Sequence, residues 1–273
     1  MKHLFAPLFL FLCAYAASAQ GIEPPRVSMD TLSDLPLRAV ENTAFKSGEK
    51  LTFRIHYGFV DAGEAVLEVK DSPYSFDGRN AYHIVGTGRS LGAFNWVFKV
   101  RDRYETYVDK QGLFPYRFIR DISEGGYTKH QEYTFSPKKR AVRTHRDREY
   151  ATPEFVQDMV SSFFYARTID YTNAKPGDVF TITTFVDNEI YPLKIKYKGT
   201  EEVKMRKGNF RCMRFVPVVQ EGRIFKTEED MNVWITDDKN KIPILVKSKI
   251  LIGSIKMEMV EYEGLRNQIA KID

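Results

Sequence analysis

"KLTFRIHYGFVDAGEAVLEV", residues 50–69, decides the fold. Leu51, Phe53, Ile55 and Tyr57 share one face of an extended chain, and Thr52, Arg54 and His56 share the other. That period-two alternation marks a half-buried strand. A glycine-bounded turn at Gly58 follows, and the chain passes directly into another strand-like run. The apolar face of such a strand must cover something: the protein's own core alone, or a ligand as well.

Outward from this stretch the same alternation recurs at 50–57, 64–70, 81–87, 103–109, 116–122 and 127–135. After a gap it returns at 178–186, 190–198, 209–219, 230–236, 243–250 and 255–262. Turn residues punctuate the runs, among them Gly78-Arg79-Asn80, Gly125-Gly126 and Gly253-Ser254, as in antiparallel all-β domains. The aromatic content, 20 Phe and 15 Tyr, favours strands in the same way. The two sets also align with each other. "SGEKLTFRI" at 47–55 matches "PGDVFTITT" at 176–184, an offset of 129, Pro115 matches Pro243, and "GGYTKHQEYTF" matches "GSIKMEMVEY". Drifts of one residue at turns are what loop insertions produce.

The expected fold is all-β dominated: curved antiparallel sheets or a half-barrel built from two similar six-stranded units, residues 45–136 and 177–263, with one amphipathic helix between them. The helix is expected at about 153–168, inside a connector spanning 137–176. Thr152 is a suitable N-cap and Pro153 suits the first helical position. Phe155, Met159 and Phe163 form one apolar stripe and Val156, Val160 and Phe164 the next. A tail follows from 264 to 273.

At the start, Lys2, the apolar run Leu4–Ala17 and "ASAQ" read as a secretory signal peptide cut after Ala19. Leu12 precedes Cys13 where a lipoprotein signal needs a small residue, so no lipid anchor is expected. Residues 20–44, with three prolines at their start and middle, read as an extended lead-in. The mature chain holds no run long and apolar enough to be a transmembrane helix. It keeps Cys212 alone, so no internal disulfide is expected, and Cys212 reads as a buried thiol in an apolar strand. These features place the protein among exported ones, periplasmic or outer-envelope associated. The charge of +5 falls to +4 without Lys2; this is compatible with anionic headgroups, and export makes nucleic acid an unsuitable partner.

The residues offer little reaction chemistry. His56, His83, His130 and His145 are scattered, with no His-x-x-x-His or Cys-x-x-Cys spacing. "HRDRE" would set His145, Asp147 and Glu149 on one face of a strand, but a solvated hairpin is the favoured reading. No metal or other cofactor is expected. There is no Gly-x-Ser-x-Gly elbow, and the "GTG" at 86–88 opens no helix and lacks the Lys-Ser/Thr ending of a phosphate loop. Two segments could meet partners. "SLGAFNWVF" presents Leu91, Phe94, Trp96 and Phe98, with core packing as the competing reading. "SPKKRAVRTHRDRE" carries Lys138, Lys139, Arg140 and Arg143, which could contact lipid phosphates or stand simply as a solvated charge run.

The stretches "GEKLTFRIHYGFVDAGEAVLEV", "GTEEVKMRKGNFRCMRFVP" and "VWITDDKNKIPILVKSKILIGSIKMEMVEYE" together resemble the exported bacterial family called domain of unknown function 3108. "RAVENTAFKSGE" is similar to its members from Bacteroidetes, and the resemblance spans roughly residues 38–264. It implies export and an all-β architecture and carries over no catalytic residue. In style the implied fold also resembles curved-sheet periplasmic lipoprotein carriers, an analogy of fold alone. The functional expectation is an exported, non-enzymatic binding module for an apolar or amphiphilic envelope molecule. Phe53, Tyr57, Phe155, Met159 and Phe163 are the candidate ligand contacts. The alternative is an envelope scaffold with a closed core acting through a protein partner. An enzyme stands third, to be promoted by polar residues converging in a cleft.

Overall fold

The computed structural model describes residues 21–218, 230–249 and 253–272; the expected signal peptide lies outside them. The opening stretch forms the hairpin it predicts: β1 (Lys50–Tyr57) pairs with β2 (Val60–Phe76), Leu51 opposite Leu67 and Phe53 opposite Ala65. The chain continues as a meander through β3 (Arg79–Ser90), β4 (Arg101–Asp109), β5 (Pro115–Glu124) and β6 (Tyr127–Ser136). Two short strands, β7 (Ala141–Thr144) and β8 (Glu149–Ala151), extend it. The second set runs β9 (Val179–Val186), β10 (Glu189–Met205), β11 (Gly208–Pro217), β12 (Met231–Thr236), β13 (Pro243–Lys249) and β14 (Ser254–Glu263). A last short strand, β15 (Lys271–Ile272), pairs with β11.

All of these belong to one antiparallel sheet of 15 strands. Its order is β8-β7-β6-β5-β4-β3-β2-β1-β14-β13-β12-β11-β10-β9, so the two sets join side by side through β1 and β14. The two sets also match in dimension. β2 and β10 are both 17 residues long and begin at Val60 and Glu189, and β6 and β14 are both 10 residues long.

A sheet this long has two edges, and unpaired edges are costly. Both are covered by segments outside the meander. The lead-in bonds the start of β10 through Ile22 and Ile190 (3.0 and 2.9 Å), then the outer edge of β8 through Val27 to Glu149 (3.1 Å) and Ala151 to Pro25 (2.9 Å). It goes on to Lys138 and Gln111 by way of Leu35 and Val40. The lead-in is therefore a fastened strap, with Met29, Ala44 and Phe45 buried.

The other edge corrects the expected helix. The connector is helical only over Ser161–Ala166. Before it, Gln157 forms a parallel bridge to β9: its N–H donates to Thr183 (2.9 Å) and its carbonyl accepts from Phe185 (2.8 Å). Those bonds satisfy the β9 edge and outweigh the helical periodicity of residues 153–160. Phe155 sits at φ 52°, in the left-handed region, where the chain turns into that pairing. The helix starts where Asp158 Oδ1 accepts the N–H groups of Val160 (2.7 Å) and Ser161 (2.8 Å), so Asp158, not Thr152, is the side chain that caps it.

The main core gathers Phe45, Phe53, Phe118, Tyr133, Phe164 and Phe185 with aliphatic side chains from both sets. A smaller cluster, Tyr171, Tyr197, Met213 and Phe215, lies beside it. Among the described residues no helix is long and apolar enough to cross a membrane.

Candidate functional site

Protein interiors hold few voids larger than a water. This one holds a cavity of about 160 Å³ beneath the short helix, where the two apolar clusters meet. Alternation on the strands supplies its walls: Ile182 from β9, Leu193 and Ile195 from β10, Phe215 from β11, Val233 and Ile235 from β12. Leu67, Val246 and Met257 close it from the main core, and Val160, Phe163 and Ala166 roof it. The lining exposed to the void is apolar. An apolar cavity of ~150 Å³ stays dry and accepts a benzene-sized guest, so this void has room for part of an acyl chain or a small ring.

Two cations stand among the lining residues, Arg167 and Lys241. Arg167 is buried and forks onto Glu49, Nη1 to Oε1 at 2.5 Å and Nη2 to Oε2 at 2.9 Å. Its Nε donates to the Asn240 carbonyl at 2.9 Å. The rings of Phe45 and Phe164 lie 5.4 and 5.2 Å from the guanidinium. This arginine therefore ties the helix end to the start of β1 and to the β12–β13 turn. Lys241 comes from that turn and is half-buried; desolvation holds its ammonium pKa below the usual lysine value.

Of the five expected ligand contacts, Phe163 lines the cavity and the others do not. Phe53 is fully buried in the main core. Tyr57 packs near Phe94, ring centroids 6.4 Å apart. Phe155 lies 5.3 Å from the Phe114 ring under the Arg38 guanidinium. Met159 is buried with its sulfur 3.5 Å from Arg120 Nη1. Helical spacing put Phe155, Met159 and Phe163 on one stripe, and the non-helical path of 153–160 separates the first two from Phe163.

The basic run is largely paired within the protein. Lys138 meets Asp77 (3.3 Å), Lys139 meets Asp34 (3.6 Å), and Arg143 meets Glu149 (2.5 Å), while Arg140 is exposed at a turn. Residues 145–148 of "HRDRE" form the β7–β8 turn, with Asp147 at φ 53°, and Glu149 opens β8, so the three do not share one strand face. Among the described residues, no group of three or more histidine, cysteine or acidic side chains is placed to hold a metal ion. Cys212 is fully buried, its thiol pushed up to about 12 by desolvation.

A second, larger concavity of about 490 Å³ crosses β2–β6 and has several charged side chains among its lining residues. Its cations answer neighbours on the same sheet: Arg89 with Glu64 (2.7 Å) and Arg103 with Glu105 (2.7 Å). Asp102, at its border, is raised to about 8 by burial first and the Glu124 carboxylate second. The Arg89–Glu64 pair joins β2 to β3 and the Arg103–Glu105 pair lies along β4, and the cavity beneath the helix is the better site for an apolar ligand by its lining.

Comparison with known proteins bears on the fold. The sequence profile described as protein of unknown function DUF3108 matches residues 52–260. The chain belongs to the DUF3108 family. Among solved structures, this DUF3108 protein is similar to a beta-barrel-like protein of domain of unknown function DUF1849 from Brucella abortus. That match has a TM-score of 0.53 and 11% identity, over 84% of this chain and 99% of that one. A hypothetical protein from Chlamydia trachomatis aligns over 84% of this chain and 93% of its own, at 6% identity and a TM-score of 0.36. No curated protein matches the sequence. The Brucella likeness shows a barrel-like fold for this DUF3108 member, and the cavity lies within that fold.

Proposed function

We propose that the protein is an exported, non-enzymatic binding module that takes an apolar or amphiphilic envelope molecule into the cavity beneath the helix Ser161–Ala166. One observation carries the reading: a void of about 160 Å³ with an apolar lining beneath the short helix. Export rests on the basic, apolar and Ala-x-Ala start of the sequence, and it would bring the protein to lipids. The test uses N-phenyl-1-naphthylamine, whose fluorescence rises in an apolar site. The full chain should bind it with enhanced emission, and Val233→Phe, which puts a ring into the void, should abolish the signal while keeping the far-UV circular dichroism. Equal binding by both proteins would sink the cavity as the site.

A second reading, a scaffold acting through protein contacts, is favoured by a different observation. Phe59, Val60, Trp96 and Val97 are exposed, on the β1–β2 turn and the short helix Phe94–Val97 between β3 and β4. Tyr57 and Phe94 connect these two segments, so the side chains form a local apolar rim of the kind that marks interaction sites. Substituting Phe59 and Trp96 by serine should leave naphthylamine binding intact if the cavity is the functional site. Loss of a crosslinked envelope partner on the same substitution would favour the scaffold.

A further inference from the structure

Three successive connections at one end of the sheet carry large apolar side chains into solvent. The β1–β2 turn presents Phe59 and Val60, and the helix Phe94–Val97 between β3 and β4 presents Trp96 and Val97. Tyr127, directly after the β5–β6 turn, is the third. The meander sets all three at the same end, because its strands alternate in direction and these connections follow β1, β3 and β5. Trp96 is 91% exposed and Val97 85%, whereas the other tryptophan, Trp234, is buried. The segment that exposes them is fastened on both sides. The Leu91 N–H donates to the Ala62 carbonyl near the start of β2 (2.9 Å), and the Gly125 N–H donates to the Lys99 carbonyl (2.9 Å). Gly125, at φ 54°, packs on the Phe98 ring where a Cβ would collide. Phe98 is thereby half-buried, and Trp96 and Val97 stay in solvent.

The charge around this rim is of one sign. Leu91 to Arg101 holds two exposed cations, Lys99 and Arg101, and no acid. Among the described residues neither has a carboxylate within 4.0 Å. Glu124, at the β5–β6 turn, is buried. Asp61, the exposed acid after the β1–β2 turn, meets His56 Nδ1 at 2.8 Å. Tryptophan and tyrosine favour the headgroup level of a bilayer, and lysine and arginine beside them attract anionic lipids. Protein hot spots instead cluster in packed pockets closed to water, and these side chains stand on three separate connections.

We infer that this end of the sheet docks on the surface of an anionic phospholipid bilayer, with Phe59, Trp96 and Val97 in the interface and Lys99 and Arg101 on lipid phosphates. The inference goes beyond the cavity reading and does not depend on it. It gives the rim a lipid surface in place of the scaffold's protein partner.

Sedimentation of the full chain with vesicles of phosphatidylcholine, alone or mixed with phosphatidylglycerol, tests it. The mixed vesicles should carry the protein down and shift the emission of Trp96 to the blue, with buried Trp234 as a constant background. Phe59→Ser with Trp96→Ser should abolish sedimentation. Lys99→Gln with Arg101→Gln should weaken binding to the mixed vesicles about thirtyfold, the ratio that ~1 kcal/mol for each cation gives. All four positions are exposed, so both double variants should keep the far-UV circular dichroism of the parent. Val233→Phe should sediment as the parent does; its failure to do so would assign the lipid contact to the cavity and overturn the inference. Equal sedimentation of either double variant and the parent also overturns it, as does a parent that stays in solution. In that last case the rim belongs to a second copy if the serine variant splits a dimer, or to a protein partner if it loses a crosslinked one.

Discussion

Removing the guanidinium of Arg167 should cost far more than a typical surface charge, and the structure says why. Glu49 is 1% exposed and Arg167 2%. Arg167→Met therefore leaves a buried carboxylate with neither of its two charged hydrogen bonds, and breaking such a pair from one side costs ~3–5 kcal/mol. Glu49→Leu strands the guanidinium in the same way and should cost a similar amount. The double variant leaves no buried charge at this place. What it loses are the donors to the Asn240 carbonyl (2.9 Å) and, more weakly, the Ala44 carbonyl (3.4 Å), the first worth ~1–3 kcal/mol if that oxygen stays dry. The double variant should thus be less destabilised than either single one, a coupling of ~2 kcal/mol or more between neighbours. Urea unfolding at pH 7, followed by the fluorescence of Trp96 and Trp234, reads all four proteins. Single variants within ~1 kcal/mol of the parent, or a double variant whose loss equals the sum of the singles, would refute the reasoning.

Two further outcomes follow from burial and charge. Asp102 has its native pKa raised to about 8 by desolvation and by Glu124, above the ~3.9 of an unfolded chain. The native state therefore binds more protons than the unfolded state between those values, and stability falls as pH rises from about 4 to about 8. Asp158 works in the same direction over a narrower window, its pKa raised to about 6 by burial against the hydrogen bonds from Thr106, Val160 and Ser161. Asp102→Asn can still accept from the Ser123 N–H; it should raise the melting temperature at pH 8.5, change it little at pH 4, and so flatten the profile. A melting temperature lowered at both pH values would contradict this. Cys212, fully buried with its thiol raised to about 12, should not react with Ellman's reagent at pH 8 on the timescale that titrates unfolded protein. Prompt reaction in native buffer would show that the β11 region opens.

The strands were legible because alternation is a local signal. Each of the twelve runs read from the sequence overlaps a strand, and the first, 50–57, matches at both ends; the last residues of two runs, 219 and 250, lie outside the described residues. The strands not anticipated, β7, β8 and β15, are four, three and two residues long, too short for a period of two to register. The helix was overdrawn for a physical reason. Residues 153–160 carry good helical spacing, but the neighbouring β9 edge offers Gln157 backbone bonds that no local pattern reveals. Phe155 and Met159, on the non-helical part of that segment, do not line the cavity, whereas Phe163, inside the true helix, does. Arg167 and Lys241 could not be paired from sequence, because a connector and a hairpin turn meet only once the sheet has curved round. A basic residue directly after the apolar helix was the available clue for Arg167; for Lys241 it was the acid-rich turn Asp237-Asp238 beside it.

The measurement closest to the central claim is native mass spectrometry of the mature protein isolated from the cell envelope without detergent. The account predicts adducts of lipid-like mass that disappear on organic extraction and are missing from Val233→Phe isolated in the same way. A clean apo mass that persists after incubation with envelope lipids would contradict it.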